Sequence, residues 1–545
     1  MTQDDLGLEA AAPNPVTRLV RPGLLLLLAA ALGLAFEILF YGRTPGLSVF
    51  VWFGLTVAGL SLAALAERVR PSWTTLALLA LLLGLAWATY VRLEPLTVFL
   101  DIVLILALLA LTVRLFRNHQ LWDFGWIDLG LALVWVPLES WLRPWPVIGH
   151  LWGRTVKERG GRKVGFSILR GLLLALPLLI IFGALLGTAD LVFGDYLEAA
   201  LRWLDLERLA DWAGRTVVIV LVGVFCLGAL VVALRPQDGH HLIGKERAFV
   251  PPFLGFTEAA VVLVALDLLF AAFVAVQFTY LFGGQANIDA AGYTYSEYAR
   301  RGFGELVAVG WLSLGLIYTL AAITRRIHRR HVFAFSWLSA LLVILVGVVL
   351  VSAYQRLVLY ENAYGFSRLR TYTHVALIWL AVTFAAFLAL LWANRLRAFA
   401  PVMLGVAVGF SLSMNAVNVD AFIVERNTQR FSETDDVDIA YLLQLSDDAV
   451  PGLARLAWLG PKEVRSELLP QLACRLSALR RAAAGQTWPS RHASHDRALQ
   501  ELESLGPLLE PYRVLLEYHG YSDGRWPIYI VKGPDSQEYC ILGWD

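Results

Sequence analysis

The sequence predicts an all-α, polytopic membrane helix bundle of about eleven spans, followed by a small, mainly helical soluble domain that ends in a β-hairpin. Hydrophobic residues make up 58% of the 545 residues and charged residues only 16%, which is more apolar surface than one water-soluble core can bury. The mean hydropathy is +0.62. Apolar runs recur up to residue 418, and charged residues become frequent from residue 419 onward.

A membrane-spanning helix needs roughly 20 mainly apolar residues, because each residue rises about 1.5 Å and the hydrocarbon core is about 30 Å thick. The segments that meet this requirement are 22–41, 46–66, 73–91, 95–115, 166–188, 215–234, 257–282, 303–324, 332–354, 372–393 and 399–418. A twelfth candidate, 121–141, contains Asp123, Asp128 and Glu139 and is bounded by tryptophans. Tryptophan prefers the headgroup region, so we expect this segment to be interfacial or re-entrant.

The distribution of lysine and arginine predicts the orientation. The connection 143–165 is strongly basic, as are 235–247, 325–331 and 395–397, and basic connections stay in the cytoplasm. The connection 190–215 is acidic, which favours the opposite side. We therefore expect a cytoplasmic tail at 1–21, a bundle over 22–418, and an extracytoplasmic domain over 419–545 in the inner or plasma membrane. The first apolar run has no cleavage site close behind it and is predicted to be an anchor.

The region after residue 418 reads as short helices and a hairpin. Ser432 with Asp435 suggests one helix start, Ser446 or Asp447 a second, and Pro461 a third. Residues 492–511 predict a further helix, and 527–543 two strands around a turn. Cys474 and Cys540 could form a disulfide in an oxidising compartment or remain free thiols.

Several connecting segments resemble a known family. They read "FVAVQFTYLFGG" at 273–284, "YTYSEYARRGFGEL" at 293–306, "LYENAYGFSRLR" at 359–370, "NAVNVDAFIVERN" at 415–427 and "DIAYLLQLSDDAVPGL" at 438–453. Over about 160–455 the chain resembles the bacterial membrane proteins called domain of unknown function 4173, related to 4153. The resemblance implies a polytopic bacterial membrane protein and supplies no catalytic residues. Val419 departs from the pattern, which is expected to have proline there.

Polar residues concentrate in connections that are predicted to share one side of the bilayer. An outer polar cluster is predicted from the 283–302 and 355–371 loops and the start of the terminal domain. Paired arginines could grip a phosphate, carboxylate or lipid headgroup, or arginine–carboxylate pairs could simply dock the domain onto the bundle, which the equal numbers of both charges favour. The glycines at 283–284 are equally consistent with a 283–302 segment that re-enters the membrane and with a surface loop. The cluster comprises Tyr295, Glu297, Tyr298, Arg300, Arg301, Arg356, Tyr360, Glu361, Tyr364, Arg368, Arg370, Asp420 and Arg426.

Three acids fall inside predicted spans, where each costs about 2.5 to 3.5 kcal/mol to insert. They are Glu37, Asp101 and Asp267, and Asp267 lies nearest to the centre of a span. A proton or cation relay is one interpretation, and a neutral acid bonded to a neighbouring helix is the other.

No motif assigns a catalytic residue, a metal site or a cofactor, and the net charge of +1 gives no support to nucleic-acid binding. The expected partners are the lipid bilayer, anionic headgroups or another envelope protein. The sequence favours a non-enzymatic envelope protein that senses, binds or forms a scaffold. A transporter that uses its buried acids and an enzyme that acts on a lipid-linked substrate remain the alternatives.

Overall fold

A computed structural model gives the fold of the chain. It describes residues 20–117, 121–150, 206–235, 251–280, 303–521, 524–533 and 537–540, together with scattered positions between 171 and 196.

The apolar part of the described chain is helical throughout. Its helices are α1 (Pro22–Phe40), α2 (Leu47–Ala66), α3 (Trp73–Val91), α4 (Pro95–Leu115), α5 (Trp126–Leu142), α6 (Leu206–Leu234), α7 (Phe256–Tyr280), α8 (Phe303–Ile323), α9 (Arg329–Tyr364), α10 (Arg368–Trp392) and α11 (Phe399–Val417).

Ten of these helices are long and apolar enough to cross a bilayer, and each coincides with a predicted span. The eleventh predicted span, 166–188, lies outside the described residues apart from isolated positions. Helix α5 is not among the ten; it has 17 residues with Pro137 inside it, and its interfacial position stays a prediction. The fold class, a polytopic helix bundle embedded in a membrane, is confirmed.

The chain divides into two compact units. The first comprises residues 1–80, 108–119 and 131–239. Within it α1 packs closely on α6, because Gly33 lets the two backbones approach: a Cβ at Gly33 would lie 2.4 Å from the Ile219 carbonyl oxygen. Small residues at such contacts are typical of membrane helix pairs.

The second unit comprises residues 81–107, 120–130 and 240–545. Helices α7 to α10 build an apolar core in which Phe335, Phe387 and Leu263 are fully buried. Helix α9 has 36 residues, a length of about 54 Å, so it extends well beyond a hydrocarbon layer of about 30 Å. The predicted 355–371 loop is therefore wrong: α9 continues to Tyr364, α10 begins at Arg368, and the turn between them has only three residues.

The terminal region begins with α12 (Val419–Thr434), separated from α11 by Asn418, whose φ is 52°. The remaining elements are α13 (Ile439–Leu443), α14 (Val450–Leu459), α15 (Lys462–Gly485), α16 (Ala493–Ser504), α17 (Gly506–Leu509), β1 (Arg513–Tyr521), β2 (Gly524–Lys532) and β3 (Gln537–Tyr539).

The strands form one antiparallel sheet in the order β1-β2-β3. The predicted hairpin is present as β2 and β3, whereas β1 was missed. The predicted start at Ser432 is wrong, because that residue lies inside α12 and the next helix is capped instead by Asp438, which accepts from the Tyr441 amide. The start at Pro461 is confirmed. Cys474 and Cys540 form a disulfide between α15 and the residue that follows β3.

Candidate functional site

The turn between α9 and α10, residues 365–367, is held by α12 of the terminal region. The Asn427 side-chain amide accepts from the Phe366 amide and donates to the Phe366 carbonyl, both at 2.9 Å. Gly365 has a φ of 75°, and a Cβ there would lie 2.4 Å from the Asn427 Oδ1 atom. Glycine is thus required both by the left-handed conformation and by the close approach.

Asp420 makes a direct polar contact between α12 of the terminal region and the start of α10. Its carboxylate is fully buried and accepts two hydrogen bonds from Arg368, at 2.8 and 2.6 Å. It also accepts from the Ser446 amide at 2.8 Å, while the Arg368 amide donates to the Tyr441 hydroxyl at 2.8 Å. Burial raises the pKa of Tyr441, so this phenol stays a neutral partner. Both oxygens of Asp420 are therefore occupied by the fork of donors that best fits a carboxylate.

The connection between α3 and α4 meets the same region through Asp448. The Leu93 amide donates to Asp448 at 2.7 Å, the Ser494 hydroxyl donates to it at 2.8 Å, and the Arg92 guanidinium lies 4.0 Å away. Burial raises the pKa of Asp448, and these donors partly oppose that effect. Arg92 also donates to the Asn415 carbonyl at 2.9 Å, which ties the connection to the end of α11.

Glu94 links α4 to α10. Its carboxylate is 2% exposed and accepts from the amide of Thr97 at 2.7 Å, which caps the start of α4, while the Tyr372 hydroxyl donates to its other oxygen. His492 adds a contact to the last turn of α3, with its Nε2 atom 2.9 Å from the Thr89 carbonyl oxygen. Burial, followed by the neighbouring His495, lowers the pKa of His492 to about 4, so Nε2 donates from a neutral ring.

We call this set of contacts the polar seam. It comprises Arg92, Leu93, Glu94, Arg368, Tyr372, Asp420, Tyr441, Ser446, Asp448, His492 and Ser494. The seam joins the α3–α4 connection, the start of α10 and the end of α11 to the terminal region, so these elements lie at one end of the second unit.

Several predicted cluster residues lie beside the seam and pair within the bundle. Glu361 is 2% exposed and lies 2.6 Å from the His374 Nε2 atom. Arg370 packs over the Tyr360 ring at 4.1 Å and donates to the carbonyls of Tyr364 and Gly365. These contacts connect α9 to α10. The predicted cluster residues Tyr360, Glu361, Tyr364 and Arg370 therefore stabilise this helix pair.

The remaining predicted residues are distributed differently. Arg356 is buried on α9, whereas Arg426 is exposed on α12, donates to Gln429 at 3.3 Å and packs over Phe422 at 5.2 Å. Tyr295, Glu297, Tyr298, Arg300 and Arg301 lie outside the described residues.

Sequence reasoning missed Arg92, Glu94, Tyr372, Asp448, His492 and Ser494. Their partners are far away along the chain; Leu93 and Asp448, for example, differ by 355 in residue number. The one available signal was the pair of charges, Arg92 and Glu94, in "VRLEP". This stretch separates two apolar runs and lies on the side of the membrane that the charge rule predicts to be extracytoplasmic.

A second polar centre lies inside the terminal region. The Asp447 carboxylate accepts from Arg475 at 2.7 Å and lies 2.5 Å from the His495 Nδ1 atom. Burial opposes ionisation of Asp447, but the hydrogen bond with His495 and the charge of Arg475 outweigh it and lower the pKa. Elsewhere in the terminal region, α12 and α14 line a cleft of about 510 Å³, whose polar residues are Glu425, Thr428, Ser432, Asp435 and Arg455.

The three intramembrane acids have different environments. In the first unit, Arg215 donates to Glu37 at 3.0 Å. In the second unit, Asp101 is fully buried and accepts from Ser411 and from the Asn415 amide, the latter at 3.0 Å to each oxygen. Asp267 is 5% exposed, and neither of its oxygens has a hydrogen-bond partner in the described structure. Asp101 is thus an acid that is hydrogen-bonded to a neighbouring helix, and Glu37 forms an ion pair. Asp267 has neither kind of partner in the described structure.

No grouping of three or more histidine, cysteine, aspartate or glutamate side chains with metal-binding geometry occurs among the described residues.

The comparisons with known proteins identify a family without an assigned activity. No curated protein and no solved structure matches the chain. Residues 77–456 match the family described as domain of unknown function (DUF4153), which extends from α3 to α14 and includes most of the polar seam. The match is to 4153 and does not extend to the related 4173. Because the matched range is more than half of the chain, the protein belongs to the DUF4153 family.

Proposed function

We propose that this multi-pass membrane protein is a non-enzymatic envelope protein whose terminal region, 419–545, is a rigid extracytoplasmic platform for sensing or binding an envelope partner. The observation that carries the proposal is the pairing in the polar seam. Asp420 and Asp448 of the terminal region are buried, and each is engaged by donors from an element of the bundle.

Pairing of this kind favours docking over ligand capture. A site that grips an anion keeps arginine donors available for the ligand, whereas Arg368 already directs two donors at Asp420. Likewise, the oxygens of Asp420 are occupied by Arg368 and Ser446, so this carboxylate is not poised as a base. These contacts fix the platform at the ends of α3, α10 and α11.

The orientation of the platform follows from the charge rule and from the disulfide. Basic connections at 325–331 and 395–397 favour a cytoplasmic position for the opposite end of the second unit. Disulfides persist in oxidising compartments, so the bond between Cys474 and Cys540 supports an extracytoplasmic location. The cleft between α12 and α14 is the feature that the platform offers to a partner.

Distance measurements between spin labels test the rigid docking. One label is placed at Tyr364, exposed at the end of α9, and the other at Glu501, exposed on α16, in a background in which Cys226 is replaced by alanine. We expect one narrow distance distribution in lipid nanodiscs. The same pair in an Asp448→Ala background should give a broader distribution. A broad distribution in the parent protein would refute the rigid platform, and a reporter fused after Asp545 that is active in the cytosol would refute its location.

A further inference from the structure

Arg235 is a buried cation at the end of α6, in the first unit. Only 8% of the residue is exposed, and it follows directly after Leu234, the last residue of the apolar span. Its Nε and Nη2 atoms are both buried and make no hydrogen bond in the described structure. A guanidinium stays protonated in a protein, so this buried charge cannot be relieved by the loss of a proton.

The two unpartnered nitrogens form the edge of the guanidinium that binds anions with two oxygens. In this molecule, the same two atoms of Arg368 donate to the two oxygens of Asp420, at 2.8 and 2.6 Å. Arg235 has the same edge buried, with no acceptor among the described residues. A guanidinium fork fits the oxygens of a carboxylate or a phosphate. The edge of Arg235 is therefore suited to such an anion.

The close packing of α5 on α6 brings a second arginine to this end of the helix. Gly228 of α6 contacts the α5 backbone so closely that a Cβ there would overlap the Ser140 carbonyl oxygen. Arg143 lies about one turn beyond Ser140, just past the end of α5. Burial, followed by the charge of Arg143, lowers the pKa of Arg235. The packing thus holds two cations near each other despite their mutual repulsion.

A third arginine comes from the end of α4. The Arg117 Nη1 atom donates to the carbonyl of Leu234 at 3.2 Å, directly before Arg235 in the chain. Among the described residues, Glu139 is the only acid that pairs with any of the three arginines, at 3.2 Å from Arg143. The excess of positive charge at the ends of these helices favours an anion. We call Arg117, Arg143 and Arg235 the arginine cluster.

We propose that the arginine cluster binds a phosphate group, carried either by an anionic lipid headgroup or by a soluble phosphate compound. The cluster begins where the apolar span of α6 ends, which is the level of the headgroups. Basic pockets between membrane helices on the cytoplasmic side bind such headgroups, and the charge rule predicts that side for this end of α6. The docking of the terminal platform does not involve these residues, so the inference goes beyond the proposed function and does not depend on it.

Native mass spectrometry of the full-length protein tests the lipid source. The purified protein is titrated with phosphatidylglycerol and, in parallel, with diacylglycerol of the same acyl chains, which lacks the phosphate. We expect diacylglycerol to bind about tenfold more weakly or worse. Sodium phosphate, compared with sodium chloride at equal ionic strength, tests the soluble source through the thermal unfolding midpoint, because a ligand that binds only the folded protein raises it. A rise with phosphate but no preference for phosphatidylglycerol would assign the site to a soluble compound.

Two variants connect the binding to the arginine cluster. Arg235→Gln removes the buried charge, so the affinity for the probe that binds should fall about tenfold or more while the elution volume of the folded protein stays unchanged. Arg330→Gln is the matched control, because it removes the same charge from an exposed position at the start of α9, and it should change the affinity by less than about twofold. Equal losses in the two variants would overturn the proposal, since binding would then follow net charge alone. Unchanged affinity in Arg235→Gln, or a parent protein that binds neither probe, would overturn it as well.

Discussion

Replacing Asp420 with alanine should release the terminal platform from the bundle. The substitution removes two hydrogen bonds from Arg368 and one from the Ser446 amide, all to a carboxylate with no exposed surface. Breaking a buried ion pair by removing one partner costs about 3 to 5 kcal/mol, because the remaining charge loses its compensation. Since about 1.36 kcal/mol corresponds to a factor of ten, local opening at the seam should increase by about 100-fold or more.

Limited trypsin digestion in oriented vesicles measures this opening. Arg426 lies on α12, one to two turns after Asp420, and cleavage there requires the helix to open. When closing is faster than cleavage, the cleavage rate follows the population of the open state, so Asp420→Ala should likewise raise the rate by about 100-fold or more.

Asp436→Ala is the matched control. Its carboxylate also binds an arginine, Arg430 at 3.2 Å, but it is 75% exposed, and exposed pairs contribute about 0 to 1 kcal/mol. The control should therefore change the rate by about fivefold at most. A double-mutant cycle with Arg368→Ala isolates the pair energy. If Asp420→Ala and Asp436→Ala gave equal cleavage rates, the reasoning about the seam would be refuted.

Three further predictions concern stability. Gly365→Ala should lower the free energy of unfolding by about 1 to 3 kcal/mol, measured by thermal unfolding, because φ is 75° there. Gly347→Ala is the control, since a Cβ at Gly347 meets open space, and it should leave the stability unchanged. Equal unfolding midpoints for the two variants would contradict the argument. Burial lowers the pKa of His492 to about 4 in the folded protein, against 6.5 for the free side chain. The unfolded chain therefore takes up the proton first, so the contribution of His492 to the free energy of unfolding is complete above pH 6.5 and falls by about 2 kcal/mol on acidification to about pH 5. Protease sensitivity should rise accordingly, and an unchanged profile in His492→Gln would disprove this origin. Cys474→Ser removes a cross-link across 66 residues and should cost about 4 kcal/mol in denaturant unfolding; identical midpoints with and without reductant in the parent protein would contradict it.

Ten of the predicted spans agree with helices of the described structure, because each depends on local composition. A helix that crosses hydrocarbon needs only a continuous apolar run, so the limits of α4 match those predicted. The helix ends were less well predicted. The polar residues from Gln355 onward suggested a loop, yet α9 continues through them, since a helix beyond the apolar layer keeps its backbone hydrogen bonds and can place Glu361 against His374.

The partners of the polar side chains were not predictable in the same way. Asp420 and Arg368 were both named as candidates, but nothing in the sequence paired them with each other, and Glu94 and Asp448 were not named at all. Which donor meets which carboxylate depends on how the ends of helices far apart in the chain converge.

The sequence alone determined that this protein is an α-helical membrane bundle, and its basic connections predict which end faces the cytoplasm, because the transfer of apolar and charged residues between water and lipid is set by each segment's own composition. Only the tertiary structure decided which hydrogen-bond partners the buried acids have. Asp101 and Asp267 have the same side chain at similar burial, but one meets Ser411 and Asn415 and the other meets no partner in the described structure. Hydrogen bonding requires an approach of about 3 Å, and such distances are fixed by the packing of whole helices.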